Sequence, residues 1–175
     1  LERIGVLAEE VDGPLAAAVG LGPVETARML AMAHVAGSDA MIACFDAKYH
    51  YMAWRPVQAI RRADTDGNPR TEPDPAWQPL RGTPNHPEYP SAHACHSAAI
   101  AEALETAFGR NVPFALDSLA TGETRYYDRF KDVVQEVNRA RVFAGFHFRN
   151  SDQVGATLGR RVGRFVVGNF FQPVE

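Results

Sequence analysis

Two cationic side chains lie on what the sequence predicts to be the apolar face of a helix. This face repeats at steps of four and three residues and comprises Met41, Phe45, Lys48, Met52 and Arg55. Such spacing places side chains on one side of a helix, so Lys48 and Arg55 are expected to point towards the core, roughly 10 Å apart along the axis. Arg141 follows Val137 by one turn in the same way on a later predicted helix. A buried charge is costly without an opposite charge, so three inward cations predict a bound anion.

The ordinary alternative for each cation is a side chain that reaches the surface or forms an ion pair. Asp46, Glu136 and Asp152 are the acids available for such pairs. Three inward cations together weaken this alternative more than any one of them does. Arginine offers a planar set of donors that suits a tetrahedral oxyanion, whereas lysine acts as a point charge. The pattern therefore predicts recognition of phosphate or of an ion with the same shape.

A second feature is the segment Pro90-Ser91-Ala92-His93, which lies at the predicted start of a helix. A helix N-terminus has free backbone N–H groups and the positive end of the helix dipole, and the small Ala92 leaves room for an anion there. His93 lies in the first turn, where an imidazole can donate to the anion or transfer a proton. The alternative is that Ser91 is an ordinary helix cap beside a merely polar His93.

A third feature is His147, which follows Arg141 by six residues. Six helical steps rotate by about 600°, so both side chains reach one ligand only if the helix ends between them. Gly145 is placed to end it. A histidine between two phenylalanines is commonly a core residue, but its place after Arg141 favours ligand binding. His96, one turn after His93, lacks nearby acids or cysteines that would complete a metal site, so it is interpreted as core or as a neighbour of the site.

The elements that position these residues are predicted to be helices. The predicted segments are a helix from Pro23 to Val35, a second from Ser38 to about Trp54, a short turn at Pro56, and helices over residues 91–108, 123–144 and 152–170. Residues 63–89 contain six prolines and no apolar period, which predicts a long irregular segment of the kind that often carries function. We find no strand, repeat or second domain, so the sequence predicts one all-α helical bundle over residues 1–175.

Composition excludes some classes of partner. The chain has 175 residues with 18 basic and 21 acidic side chains, and it lacks the basic stripe that nucleic-acid binding requires. No apolar stretch reaches the roughly 18 residues of a membrane helix, which predicts a soluble protein. Cys44 and Cys95 fit small core residues better than a disulfide framework. The chain begins at Leu1 without methionine, which favours a fragment or a processed part of a longer chain, and an exported protein without its leader would look the same.

These motifs resemble the three-part signature of the vanadium-dependent haloperoxidase and type-2 phosphatidic acid phosphatase superfamily. The matching residues in chain order are Lys48 with Arg55-Pro56, then Pro90-Ser91-Ala92-His93, then Arg141 with His147. The likeness extends over residues 39–160. The resemblance implies a helical bundle of the vanadium haloperoxidase and acid phosphatase type, present here as a catalytic domain much shorter than whole haloperoxidases.

The resemblance implies a role for each matching residue. The residues implied to bind the oxyanion cofactor, vanadate, are Lys48, Arg55, Ser91, Ala92, His93, Arg141 and His147. Three of them, Lys48, Arg55 and Arg141, would hold the equatorial oxygens. His93 would be the acid–base group on one axial side, and His147 would bind the vanadium on the other. Lys48 would in addition polarise the bound peroxide.

The resemblance leaves three functions open. The first is a haloperoxidase that uses vanadate, hydrogen peroxide and a halide to make hypohalous acid, which then reacts with a small organic acceptor. The second is a soluble acid phosphatase that hydrolyses phosphomonoesters through a phosphohistidine at His147, with His93 as the acid for the leaving group. The third is a domain that binds oxyanions without turnover. The nearby aromatic residues Tyr49, Tyr51 and Trp54 favour the first.

His86 bears on which halide is used. It lies seven residues before His93, at a position that in this family is beside the oxyanion. Chloride-oxidising members tend to have an aromatic residue there, and bromide- or iodide-oxidising members a histidine. The resemblance therefore implies oxidation of bromide and iodide with little oxidation of chloride. The alternative is that His86 is a solvated loop residue.

The sequence departs from the family pattern at three positions. Ala92 stands where glycine is usual, and Ala140 stands where serine usually precedes the arginine. Ser151 stands where an acid usually follows the second histidine by four residues, with Asp152 one residue later. The sequence therefore leaves the residue that orients His147 unidentified.

Overall fold

Helices form the framework of the computed structural model, which describes residues 15–16, 20–118 and 121–172. The elements in chain order are helix α1 (Pro23–Tyr51), helix α2 (Pro56–Arg61), a 3₁₀ turn (Ala63–Thr65), helix α3 (Ala92–Phe108), strands β1 (Phe114–Ser118) and β2 (Glu123–Tyr127), and helices α4 (Phe130–Phe143) and α5 (Arg149–Asn169). The predicted helical-bundle class is confirmed. The predicted domain of residues 1–175 includes residues 1–14, 17–19, 119–120 and 173–175, which lie outside the described part. Within the described part, no helix is long and apolar enough to cross a membrane.

Helix α3 lies at the centre of the bundle and packs against α1, α4 and α5. Ten of its 17 residues are buried, and most of these are alanine, so neighbouring helices approach it closely from several sides. It begins after the N-cap Ser91 and ends at Gly109, which has a φ of 92°. The prediction of a helix over residues 91–108 is confirmed. The N-terminus of this central helix is where the functional residues meet.

Three glycines of α5 lie against α3 and form what we call the glycine seam: Gly155, Gly159 and Gly163. A Cβ atom at Gly159 would lie 1.9 Å from the Cys95 carbonyl oxygen, and one at Gly155 would lie 2.5 Å from the Ser91 carbonyl oxygen. The backbones of the two helices therefore touch without side chains between them. Because α5 begins just after His147, the glycine seam fixes the distance between that histidine and the start of α3.

The first long helix differs from its prediction. Pro23 begins it as expected, but Ser38 lies inside one continuous helix rather than capping a second one. Serine commonly caps a helix, which is why the sequence indicated a boundary at this position. The preceding Gly37 lies within the same helix, and a Cβ atom on it would lie 2.9 Å from His96 Nε2, so glycine there permits the close packing of α1 on α3. The helix ends at Tyr51, three residues before the predicted end at Trp54.

The end of α1 corrects the predicted placement of Arg55. Met52 adopts a left-handed conformation with a φ of 48°, which terminates the helix. Lys48 therefore lies in the last turn of α1, whereas Arg55 is the N-cap of α2. The prediction that both lie on one helix face is wrong. Both side chains are nevertheless buried, because the chain turns between them and directs Arg55 inward.

A β-hairpin replaces the start of the helix predicted over residues 123–144. Strands β1 and β2 pair antiparallel, with Phe114 opposite Tyr127, and these two rings stack with centroids 5.5 Å apart. Tyr126, which the helical period placed inside, is 82% exposed. The prediction of a chain without strands is wrong here, since the β-branched and aromatic residues of β2 favour a strand that the coincidental period concealed.

The remaining predicted elements are present, with boundaries that differ by up to three residues. Pro56 begins a short helix, and the segment predicted to be irregular over residues 63–89 is irregular from residue 66, after the 3₁₀ turn. Helix α5 begins at Arg149, three residues before the predicted Asp152. Gly145 has a φ of 74° in the turn after α4, as expected for a residue that ends a helix. Trp77 packs so closely on this turn that a Cβ atom at Gly145 would lie 2.6 Å from its ring.

Candidate active site

Four parts of the chain converge at the N-terminus of α3. They are the end of α1, the start of α2, the loop that precedes α3, and the turn between α4 and α5. The predicted site residues from these parts that are buried are Lys48, Arg55, Ser91, Ala92, Arg141 and His147. Each retains at most 4% of its surface exposed. The sequence prediction that the cations point inward is therefore confirmed for all three.

Lys48 is fully buried and donates from Nζ to two backbone oxygens. These are the carbonyls of Pro87, at 2.8 Å, and Glu88, at 2.9 Å. An ammonium has three donors, so one remains for a ligand. Burial lowers the pKa of Lys48 to about 8, and the nearby Arg55 and Arg141 charges act in the same direction. An anion beside this group would counter both effects and hold it protonated.

Arg55 links the loop before α3 to the turn that carries His147. Its Nε donates to the His86 carbonyl at 3.1 Å, and one terminal nitrogen donates to the Phe146 carbonyl at 2.9 Å and to His147 Nε2 at 3.0 Å. The other terminal nitrogen donates to His86 Nδ1 at 3.0 Å. Burial lowers its pKa to about 10, which still leaves the guanidinium charged at neutral pH. No carboxylate among the described residues forms an ion pair with it.

Arg141 lies in the last turn of α4 with its guanidinium 4.5 Å from the centroid of the Phe146 ring. Its Nε and Nη2 atoms are buried and have no hydrogen-bond partner among the described residues. Burial lowers its pKa, and the charge of Asp152 opposes that shift. Buried charged donors without acceptors are costly, so we expect this arginine to bind a ligand that supplies the acceptors.

Ser91 also has a buried polar atom without a partner. Its Oγ makes no capping bond to α3 and no hydrogen bond of normal geometry to any described residue. Its backbone N–H donates to the Ser151 carbonyl at 3.0 Å, so this N–H is not available to a ligand. The amide of Ala92 belongs to the first turn of α3, where N–H groups have no acceptor within the helix. The hydroxyl and this amide together form the predicted cradle.

His147 is held on both ring nitrogens. Its Nδ1 lies 2.8 Å from Glu88 Oε1, and its Nε2 lies 3.0 Å from Arg55. A carboxylate can only accept, and the guanidinium can only donate, so the proton is on Nδ1 and the lone pair is on Nε2. Burial lowers the pKa of His147 to about 4, despite the opposing effect of Glu88. The ring is therefore neutral at neutral pH, with Nε2 able to act as a ligand or nucleophile.

Glu88 is the residue of the site that sequence analysis missed. Its carboxylate is buried and accepts from His147, from the backbone N–H of Phe148 at 3.0 Å, and from the Ser151 hydroxyl. Burial alone would raise its pKa, but these donors outweigh burial and lower it. Glu88 lies in the irregular loop, where no periodicity shows which side chains point inward. The available signal was Ser151, which stands where the family has an acid.

Asp152 is a second buried acid that the sequence did not place inward. Burial raises its pKa to about 7, against the opposing effects of the Ser91 hydroxyl and the Arg141 charge. Its two carboxylate oxygens make no hydrogen bond of normal geometry within the described residues. Two buried acids therefore accompany the three buried cations, which is fewer than one acid for each cation, and neither acid forms an ion pair with those cations.

The other predicted histidines take separate positions. His86 is partly buried, accepts from Arg55 at Nδ1, and packs its ring 5.1 Å from that of Phe45. Burial lowers its pKa to about 4, with Lys48 acting in the same direction, so it is neutral. His93 is partly buried in the first turn of α3. His96 lies against Gly37 in the contact between α1 and α3, as the core interpretation predicts.

The chemistry of this donor set fits an oxyanion. Three cations, a hydroxyl and a helix N-terminus supply N–H and O–H groups, and the three unpartnered donor atoms belong to Arg141 and Ser91. A bare metal cation would instead require several acids or neutral ligands. His147 Nε2 adds one lone pair, which suits a direct bond to the central atom of a tetrahedral ion such as vanadate or phosphate.

Comparison with known proteins identifies the family of this chain. The family model described as the VCPO second helical-bundle domain matches residues 28–175. A comparison with curated proteins finds no match. Among solved structures, the first bacterial vanadium-dependent iodoperoxidase is similar at a TM-score of 0.86 and 29% identity, over 98% of this chain and 40% of that chain.

A more distant solved structure shares the fold. The holo-type bacterial vanadium-dependent chloroperoxidase is similar at a TM-score of 0.75 and 19% identity, over 93% of this chain and 40% of that one. This chain therefore spans about two fifths of the length of both solved structures. The family match covers most of the sequence and includes every predicted site residue. The chain belongs to the vanadium haloperoxidase superfamily, as a member of the VCPO second helical-bundle domain family.

Proposed function

We propose that this chain carries the cofactor site of a vanadate-dependent haloperoxidase. The observation that supports this proposal most directly is the set of buried donors without partners, Arg141 Nε and Nη2 and Ser91 Oγ, in a site that also contains the lone pair of His147 Nε2. Vanadate, when bound, supplies a Lewis-acid centre that activates hydrogen peroxide for the oxidation of halide. The resemblance to a bacterial iodoperoxidase supports the same activity class.

The residues of the chain then have distinct tasks. Lys48, Arg55 and Arg141 neutralise the charge of the oxyanion and bind its oxygens, together with Ser91 Oγ and the Ala92 N–H. His147 binds the central atom through Nε2, while Glu88 holds the proton at Nδ1. The Arg55 terminal nitrogen that contacts Nε2 would then donate to an oxygen of the bound group instead. His93, in the first turn of α3, transfers a proton to or from the oxygen nearest to it.

The test is an assay of the purified protein with hydrogen peroxide and bromide, with and without added orthovanadate. We expect bromination of a small organic acceptor that depends on vanadate. A parallel assay with a phosphomonoester separates the alternatives. Phosphate release that vanadate inhibits, without vanadate-dependent bromination, would contradict the haloperoxidase proposal. Vanadate binding without either activity would indicate a domain that binds oxyanions without turnover.

One observation favours phosphomonoester hydrolysis as the second candidate function. The tautomer of His147, with an unprotonated Nε2 and a carboxylate on Nδ1, is also that of a histidine nucleophile. In this reaction Nε2 forms a bond to phosphorus as the bond to the ester oxygen breaks, and His93 gives that oxygen a proton. Water then cleaves the phosphohistidine, which releases inorganic phosphate and restores the ring.

Halide preference provides a prediction at His86. We propose that this side chain favours bromide and iodide over chloride, since its neutral ring accepts from Arg55 at Nδ1 and keeps a donor at Nε2. His86→Phe removes both polar atoms, so we expect the ratio of bromide to chloride oxidation or the pH profile to change while vanadate still binds. Halide ratios and pH profiles measured for both proteins check this. If they are the same, His86 has no part in halide selection.

A further inference from the structure

Glu88 contacts both sides of the site through two different groups. Its backbone carbonyl accepts from Lys48 at 2.9 Å, whereas its carboxylate accepts from His147 Nδ1 at 2.8 Å. Its backbone N–H donates to the Ala53 carbonyl at 3.0 Å, two residues before Arg55. Glu88 is also three residues before Ser91. One loop residue is therefore bonded to the segments that carry the cations, the cradle and the histidine.

The Glu88 carboxylate accepts hydrogen bonds from protein groups rather than from water, because only 2% of the residue is exposed. Oε1 accepts from His147 and from the Phe148 N–H, and Oε2 accepts from Ser151. Three donors from one short segment thus surround a single charge. Charge-assisted bonds of this kind are about twice as strong as neutral ones and fix the direction of the donor.

We infer that Glu88 is the positioning residue for His147. Its carboxylate takes the place of the acid that the family usually has four residues after this histidine, where this chain has Ser151. The carboxylate fixes the plane of the imidazole and keeps the Nδ1 proton in place, so that Nε2 presents its lone pair to the oxyanion. Ser151 contributes by holding Oε2, so that the same carboxylate serves both residues. This inference rests on the proposed oxyanion site for its consequence, but the contact itself does not require a ligand.

The side-chain task can be separated from the backbone task. Lys48 binds the backbone oxygen of residue 88, so a side-chain substitution leaves that bond in place. Glu88→Gln keeps the shape and removes the charge, whereas Glu88→Ala removes all three acceptor contacts. Ser151→Ala removes one donor to the carboxylate and leaves the His147 contact. Glu136→Gln is the matched control, because Glu136 binds Arg125 and Tyr127 near the hairpin, away from the site.

The first measurement is made without vanadate, by NMR of the histidine ring protons. In the wild-type protein we expect a protected, downfield Nδ1 proton on His147, as a buried imidazole–carboxylate bond produces. Glu88→Gln should shift this signal upfield, and Glu88→Ala should abolish it. Ser151→Ala and Glu136→Gln should retain it. A Glu88→Ala protein that keeps the wild-type signal, with its helical circular dichroism intact, would overturn the inference.

The second measurement is calorimetric titration with orthovanadate. We expect Glu88→Gln to lose affinity by 10- to 100-fold, on the order seen when a partner behind a metal ligand is removed. Glu136→Gln should stay within about threefold, because its contacts lie away from the site. Ser151→Ala, which removes one donor to the carboxylate but leaves the His147 contact, should lose less affinity than Glu88→Gln. Wild-type affinity in folded Glu88→Gln would contradict the inference. A wild-type protein that binds no vanadate would instead contradict the proposed function, and the ring-proton signals would still decide the role of Glu88.

Discussion

His147→Ala is expected to abolish turnover, lowering the rate by about 10³-fold or more under either enzymatic proposal. The substitution removes the Nε2 lone pair, which is the bond to vanadium in the haloperoxidase proposal and the nucleophile in the phosphatase proposal. It also leaves the buried Glu88 carboxylate with only Phe148 and Ser151 as donors. Steady-state rates of the purified variant, in the presence of saturating vanadate and bromide or of a phosphomonoester, measure the loss.

His96→Ala is the matched control for that experiment. His96 is a partly buried histidine of the same helix that carries His93, but it lies against Gly37 between α1 and α3. Burial lowers its pKa, with His34 acting in the same direction, so it is neutral and its removal takes no charge from the site. We expect the variant to keep its rate within a few fold and to lose some stability. Equal loss of rate in both variants would contradict the assignment of His147.

Arg141→Ala is expected to weaken oxyanion binding by at least about 100-fold. Nε and Nη2 are buried and have no hydrogen-bond partner among the described residues, so a bound oxyanion would supply an acceptor to each. Hydrogen bonds to charged groups contribute about 1.5–3 kcal/mol each, and about 1.4 kcal/mol corresponds to tenfold, so two bonds exceed a 100-fold effect. Calorimetric titration of the variant and the wild-type protein with vanadate checks the prediction.

The fold should tolerate this substitution at neutral pH or below. Asp152 loses its neighbouring cation in the variant, so its pKa rises further from the value of about 7 that burial already gives it. The carboxyl then takes up a proton and is buried in its neutral form, which costs little. Arg139→Ala, two residues earlier on α4 and exposed, is the control and should bind vanadate as the wild type does. Wild-type affinity in Arg141→Ala would remove this arginine from the site.

Helical periodicity revealed two of the site residues, whereas His86 and His147, which lie outside the helices, were indicated by the family resemblance and by the position of His147 after Arg141. Lys48 and Arg141 stand out because helical periodicity assigns each position a direction, and a cation at an inward position is a visible conflict. The burial of Arg55 was predicted by extending the helical period of α1 past the point where the helix ends. The burial is correct, but Arg55 lies at the start of α2 and not on the face of α1. Glu88 lies in an irregular loop, where direction depends on tertiary contacts and no period exists to reveal it.

The hairpin was missed for a related physical reason. Tyr126 and Phe130 are four residues apart and look like one helix face, but the first lies in an exposed strand and the second begins α4. Short segments of this kind match both the helical and the strand period, and pairing with the neighbouring strand β1 decides between the two structures. The continuous α1 shows the opposite case, in which Ser38, of a residue type that often caps helices, lies inside a helix.

The glycine seam restricts which substitutions the site can tolerate. Gly155 and Gly159 set the spacing of α3 and α5 by contact between backbones, which no change of side-chain rotamer can alter. The Ser91 N–H, which donates to the Ser151 carbonyl at 3.0 Å, belongs to the same contact. A side chain at Gly155 or Gly159 would therefore push α5 away from α3 and separate Ser91 from the segment that carries His147, although neither glycine contacts a ligand.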